Sequence, residues 1–125
     1  MIRIIDCGSQ LTQNIARRVR ELGVFSEIVP FHTKLEDIID NGLEGIIISG
    51  GQFSVYEENS PKYTDGVLFC RVPVLGICYG QQSIAHFLGG KVKATENREY
   101  GETSVRIVKN SPLFMGIDVD EFRVW

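Results

Sequence analysis

The sequence predicts an α/β fold: a doubly wound, mostly parallel sheet with helices on both faces. Three observations predict it. Short apolar runs recur at residues 2–5, 25–29, 45–49 and 74–77, and the third of these, GIIIS, shows none of the polar alternation of a half-exposed strand, as in strands covered on both sides. Helical patterns fall between the runs, giving the β-α-β-α-β-loop-β-α order of a layered sandwich. Three loops rich in small residues, DCGSQ, SGGQFSV and GICYGQQ, follow the first, third and fourth runs. Sheets of this class build their sites at the carboxyl ends of their strands.

Each element has a local reason. Residues 2–5 form an apolar, β-branched run that Asp6-Cys7-Gly8-Ser9 breaks, as a buried strand entering a turn does. Residues 12–22 are helical in pattern, with Leu11, Ile15, Val19 and Leu22 on one face and Arg17, Arg18 and Arg20 largely elsewhere. Gly23 suits the position just past a helix end. Residues 25–29 form a second strand stopped by Pro30. Residues 35–39 support a short helix with Glu36, Asp37 and Asp40 around it, and residues 45–49 form the third strand. A long loop runs from Gly50 to about Tyr63, and loops of that length inside a domain are often functional. Val67, Leu68 and Phe69 suggest a short helix. Residues 74–77 are the fourth strand, and residues 79–88 a helix ended by Gly89-Gly90. Beyond it the pattern changes to strands at 91–94, 103–108 and 121–125, with a turn at Asn110-Ser111-Pro112.

Composition narrows the function classes. A chain of 125 residues is long enough for one domain with a real core and short for two. A net charge of −3 gives no general electrostatic reason to expect nucleic acid or an anionic membrane. The cluster Arg17, Arg18, Arg20 reads as a solvated helix face. Three cysteines, Cys7, Cys70 and Cys78, stand at unrelated spacings without a CxxC pair or Cys/His ligand spacing, which speaks against a disulfide framework or a zinc site. No signal-peptide core and no run of membrane-spanning length occurs, so the expected compartment is the cytoplasm.

GICYGQQ carries the chemistry. Gly76 and Gly80 flank Cys78 where a strand turns into a helix, the arrangement that lifts a nucleophile above a sheet. The helix start presents unpaired N–H groups and a positive dipole end, a setting that favours thiolate. The backbone N–H of Tyr79 would face the oxyanion of a tetrahedral intermediate. The other reading is a small buried cysteine between packing glycines. In SGGQFSV, consecutive glycines allow backbone N–H groups to face a ligand and could supply a second oxyanion donor; a plain tight turn explains them equally well. An S-G-G-x-D-S pyrophosphatase loop fails at Phe53, where Asp is needed. No Walker or dinucleotide glycine motif is present.

The segments IIDCGSQLTQNIARRVRELGVFSEIVPF, IIISGGQFSVYEENSP, VPVLGICYGQQSIAHFLGG and REYGETSV together resemble the class I (triad-type) glutamine amidotransferases, and within them the GMP synthase branch. The resemblance runs over essentially the whole chain and implies a flavodoxin-like fold. It implies Cys78 as the nucleophile that forms a glutamyl thioester and releases ammonia. Gly51 and Tyr79 match the oxyanion N–H donors. Gln82, Tyr100 and Gly101 match contacts to glutamine, and Gln10 stands on the first loop with turn packing as its competing role. The family usually has proline after the paired glycines; here Gln52 stands there. The resemblance implies no cofactor in this domain, with ATP and Mg2+ belonging to a synthetase domain.

That family also uses a His-x-Glu pair as base and orienting carboxylate. The two histidines here, His32 and His86, do not begin such a pair. His86 lies eight residues past Cys78 on the same helix, roughly 12 Å along its axis. The family pattern continues past Trp125, so the expectation is an N-terminal portion of the amidotransferase domain, truncated on its C-terminal side and with little turnover alone. Open sheet edges would make it marginally stable. Two other readings stand beside this one. One is a non-catalytic flavodoxin-like module docking on an ATP pyrophosphatase domain or subunit. The other is a split protein completed by a second chain.

Overall fold

The computed structural model describes residues 1–93, 101–109 and 111–124. They fall into two compact units, Met1–Val92 and Lys93–Trp125. The first contains β1 (Ile2–Asp6), α1 (Thr12–Glu21), β2 (Ser26–Pro30), α2 (Leu35–Ile38), β3 (Gly45–Ile48), a 3-10 turn at Asp65–Phe69, β4 (Val74–Gly76) and α3 (Tyr79–Phe87). Its four strands are all parallel in the order β2-β1-β3-β4.

That order places a topological switch between β1 and β3, because the chain leaves β1 toward one edge and later fills the other. Right-handed crossovers then put α1 on one face of the sheet and α2 on the opposite face. Alternation along the strands agrees. Ile5, Cys7, Ile46 and Ile48 share a core with Ile38 of α2, Val67 of the 3-10 turn and Tyr79 of α3. Ile4, also fully buried, belongs to the row Ile28, Ile4, Ile47, Leu75 on the α1 side.

Arg3 is the one charged residue in this interior, 8% exposed. Its Nε donates to the Ile38 carbonyl at 3.2 Å, and its guanidinium also pairs with Glu27 and, at 2.9 Å, with Asp40. One side chain thus ties β1 to β2 and to the end of α2. No buried side-chain nitrogen or oxygen among the described residues lacks a partner.

The structure corrects several expectations. On α1 the buried residues are Thr12 and Ala16, whereas Leu11 and Leu22 are 60% and 83% exposed. Small residues are needed because the sheet comes close: the Ser26 hydroxyl donates to the Ala16 carbonyl at 3.1 Å. Phe25 precedes β2 and is exposed. Residues 91–93 form no strand, and Ala94 lies outside the described residues.

The second unit is an antiparallel ribbon of β5 (Thr103–Arg106) and β6 (Glu121–Val124), registered from Thr103↔Val124 to Arg106↔Glu121. β5 is shorter than the run 103–108 that the sequence pattern suggests; β6 fills the described part of 121–125, and Trp125 lies outside the described residues. A 3-10 turn at Pro112–Phe114 is capped by Ser111, whose hydroxyl accepts from the Leu113 N–H at 3.3 Å. Among the described residues, no helix is long and apolar enough to cross a membrane.

α3 can sit on the end of β3 only through glycine. A Cβ at Gly80 would stand 2.3 Å from the Ile48 carbonyl oxygen, and one at Gly76 would stand 2.6 Å from the Gln81 nitrogen. Both obstacles are backbone, which cannot step aside. Gly80→Ala is therefore expected to lower stability by about 1–3 kcal/mol, the usual range for overpacking, read as a drop in the urea midpoint. An unchanged midpoint would contradict this packing.

Candidate functional site

Three strand ends supply the site. Asp6 closes β1, and its carboxylate accepts from the Gly8 N–H at 2.9 Å and the Thr12 hydroxyl at 2.8 Å. The turn that follows is locked a second time, because the Ser9 hydroxyl accepts from the Leu11 N–H at 3.1 Å. Gly8 takes φ +91°, which favours glycine. This loop is tied to the next one by Ser49, fully buried just after β3. The Ser49 hydroxyl accepts from the Cys7 N–H at 2.9 Å and donates to the Gly50 carbonyl at 3.0 Å. The third loop leaves β4 with Ile77, whose N–H donates to the Ile48 carbonyl at 3.0 Å.

Cys78 then stands at φ +52°, ψ −109°, and is the one described non-glycine residue with positive φ. That conformation disfavours any side chain bearing a Cβ, and its presence here marks a presented group. The cysteine is exposed. It precedes α3 directly, and its carbonyl accepts from the Gln82 N–H at 3.1 Å.

All three loops line one cleft of about 400 Å³. Gly50, Gly51, Gln52 and Cys78 form one part of it, Ser9 and Gln10 another, and Leu11, Ile15 and Ile77 give it an apolar side. The approach is close: a Cβ built on Gly50 would lie 3.4 Å from the Cys78 Cβ and 3.7 Å from the Ser9 Oγ. One built on Gly51 would lie 2.5 Å from the Cys7 carbonyl oxygen, so residue 51 has to be glycine. Among the described residues, neither the Gly51 nor the Tyr79 N–H has an acceptor. A thiol beside two available N–H donors can attack a carbonyl carbon and stabilise the charge that develops on its oxygen.

The expected site residues are distributed as follows. Cys78, Gly51 and Gln10 meet at the cleft. Tyr79 follows Cys78 directly but does not line this cleft; its side chain turns into the core and donates to the Pro61 carbonyl at 2.6 Å. Gln82 is half-buried on the first turn of α3 and does not line this cleft. Gly101 belongs to the second unit with φ +102°, and Tyr100 lies outside the described residues. The histidines are elsewhere: His86 packs edge-on against Tyr56 with ring centres 5.4 Å apart, and His32 against Phe31 at 5.3 Å. A second cleft, of about 470 Å³, is lined by Tyr56, Tyr63, His86 and Phe87 among others and holds no cysteine. Among the described residues, no group of three or more His, Cys, Asp and Glu could hold a metal ion.

Sequence reasoning missed Ser49 and the Asp6–Thr12 pair. The signals were present: a serine directly before paired glycines, and an aspartate at a strand end two residues before a glycine, the pattern of a side chain bonding its own turn. The thiols also separate by environment. Cys7 is fully buried, and burial, followed by the Asp6 charge, pushes its thiol from 9.0 up to about 12.

Comparison with known proteins follows the same residues. The family model for class-I glutamine amidotransferase matches residues 3–125. The chain is 52% identical over 117 residues to the glutamine-hydrolyzing GMP synthase of Caldicellulosiruptor saccharolyticus, covering 94% of this chain and 23% of that protein. It is 49% identical over 121 residues to the enzyme of the same name from Clostridium perfringens, covering 97% and 24%. It thus spans about a quarter of the length of these curated relatives. A crystal structure from Thermoplasma acidophilum, described as that of a GMP synthase subunit, superposes with a TM-score of 0.79 at 31% identity, over 99% of this chain and 62% of that one.

Two outcomes are expected. Cys78→Gly removes backbone strain of about 1–3 kcal/mol and adds unfolded-state freedom worth about 0.4–1 kcal/mol. A net gain of about 0.5–2 kcal/mol in urea unfolding is expected, and a loss would contradict the strain. For Cys7, the folded chain keeps a proton that the unfolded chain releases, so its stabilising contribution is whole below pH 9.0 and falls as pH rises toward 12. The pH slope of the unfolding free energy in that window becomes shallower in Cys7→Ala; an unchanged slope would exclude Cys7 as its source.

Proposed function

This chain belongs to the class-I glutamine amidotransferase family, and from that premise we propose that it carries the glutamine-hydrolysing site of a GMP synthase. The observation that carries the reading is Cys78 held at φ +52° over a cleft it shares with Gly50 and Gly51. In the proposed reaction the Cys78 sulfur bonds to the side-chain carbonyl carbon of glutamine. The Gly51 and Tyr79 N–H groups stabilise the resulting oxyanion. The C–N bond then breaks, ammonia leaves with the proton it gains, and a thioester remains for water to cleave. Gln82, Tyr100 and Gly101 are proposed to hold the rest of the glutamine.

Neither histidine lines the cleft. The proton acceptor is accordingly proposed to come from outside these 125 residues. The ammonia acceptor, XMP, together with ATP and Mg2+, would belong to a synthetase domain or subunit working with this one.

A chloroketone analogue of glutamine tests the site directly. Its adduct, mapped by mass spectrometry, is expected on Cys78 with saturable kinetics that free glutamine competes away. Equal labelling of Cys70, or a rate linear in reagent with no competition, would overturn the catalytic reading and favour a non-enzymatic binding module.

A further inference from the structure

We propose that Ser49 is a positioning residue: its hydroxyl fixes the Gly50–Gly51 peptide and so aims the Gly51 N–H into the cleft. The inference rests on the catalytic reading above and deepens it.

The peptide group is planar and trans, so the carbonyl of Gly50 and the N–H of Gly51 point in opposite directions. The Gly50 carbonyl accepts from the Ser49 Oγ at 3.0 Å, and Ser49 is fully buried. The carbonyl is therefore held inward, and the N–H on the other side of the same plane is held outward. Gly50, Gly51 and Cys78 all line the cleft on that open side. Left to itself, a Gly-Gly peptide would rotate easily, because neither residue has a Cβ to resist it.

Ser49 is itself fixed at both ends. Its Oγ accepts from the Cys7 N–H at 2.9 Å, and its backbone N–H donates to the Ile5 carbonyl at 3.0 Å. With one lone pair engaged by the Cys7 N–H, the hydroxyl donates its proton to the Gly50 carbonyl. The alternative peptide orientation would give up the bond from the Ser49 hydroxyl to the Gly50 carbonyl and would leave that carbonyl facing the cleft. A carbonyl there would repel the oxyanion that the N–H should attract.

Two reactions at the same sulfur separate aiming from mere folding. Acyl transfer from the γ-(p-nitrophenyl) ester of glutamate forms a C–S bond, expels p-nitrophenolate with the bonding electron pair, releases the thiol proton to solvent, and passes through an oxyanion. Alkylation by iodoacetamide displaces iodide at carbon and develops no oxyanion. In the full 125-residue chain, Ser49→Ala is expected to slow acylation of Cys78 by about 10- to 100-fold, in the direction seen when an oxyanion donor is lost. Alkylation is expected to change by less than about three-fold on the same principle. Ser49→Cys, which keeps a weak donor, is expected to fall between, and also serves if the alanine variant does not fold. Equal loss in both reactions, or an acylation rate equal to wild type in either variant, would overturn the role of Ser49 while leaving the catalytic reading intact. A wild-type chain that alkylates at Cys78 but does not acylate there even at alkaline pH, where the thiolate needs no base, would overturn both.

Discussion

The carbonyl of Ile48, last residue of β3, holds the site together. It accepts from the Ile77 N–H at 3.0 Å, which brings the end of β4 alongside. It also lies so close under Gly80 that a methyl group there would sit 2.3 Å away. These two contacts set where β4 ends, two residues before Cys78, and where α3 begins, directly after it. The positive φ of Cys78 is the geometric consequence of turning the chain from a strand to a helix in so little length. Gly76 and Gly80 exist in the motif because backbone, not side chain, occupies the space their Cβ atoms would need.

The same economy of space governs the neighbouring loop. Gly51 packs on the Cys7 carbonyl closely enough to exclude any Cβ, and Ser49 bonds the Cys7 N–H from below. The loop after β1 is in turn stiffened by Asp6, which bonds Gly8 and Thr12. Stiffness therefore passes from the first strand, through Ser49, to the paired glycines beside the thiol. The position after those glycines is Gln52 rather than a φ-restricting proline. Hydrogen bonds and packing supply in this chain an order that a ring would supply in another.

Much of this was legible beforehand. GIIIS without alternation meant a strand covered on both sides, and β3 has Ile46 and Ile48 in one core with β1 on its flank. GICYGQQ read alone placed Cys78 on a turn between strand and helix, and that turn is present. The faces of α1 were not legible, because apolar periodicity marks Leu11 and Leu22 while the sheet admits only Thr12 and Ala16 at its nearest approach. Periodicity records which residues are apolar; it does not record how near the neighbouring strand comes. Arg3 illustrates the complementary failure. An arginine inside IRII breaks the run on paper, yet it is 8% exposed because Glu27 and Asp40, far off in sequence, converge on it.

The two cysteines at the strand ends show how one residue type takes opposite fates within a short stretch of backbone. Cys7 follows the last residue of β1, and its side chain continues the inward alternation of Ile5 into the core. There burial keeps its proton on, so it behaves as a small apolar side chain. Cys78 follows β4 by two residues, where the turn has already broken the strand alternation and the side chain rises to the surface. What distinguishes them is the backbone: an extended strand end that still obeys its pleat, against an elbow that does not. Reactivity at this site is thus decided by main-chain geometry first, and the glycines around Cys78 are as much a part of the chemistry as the sulfur.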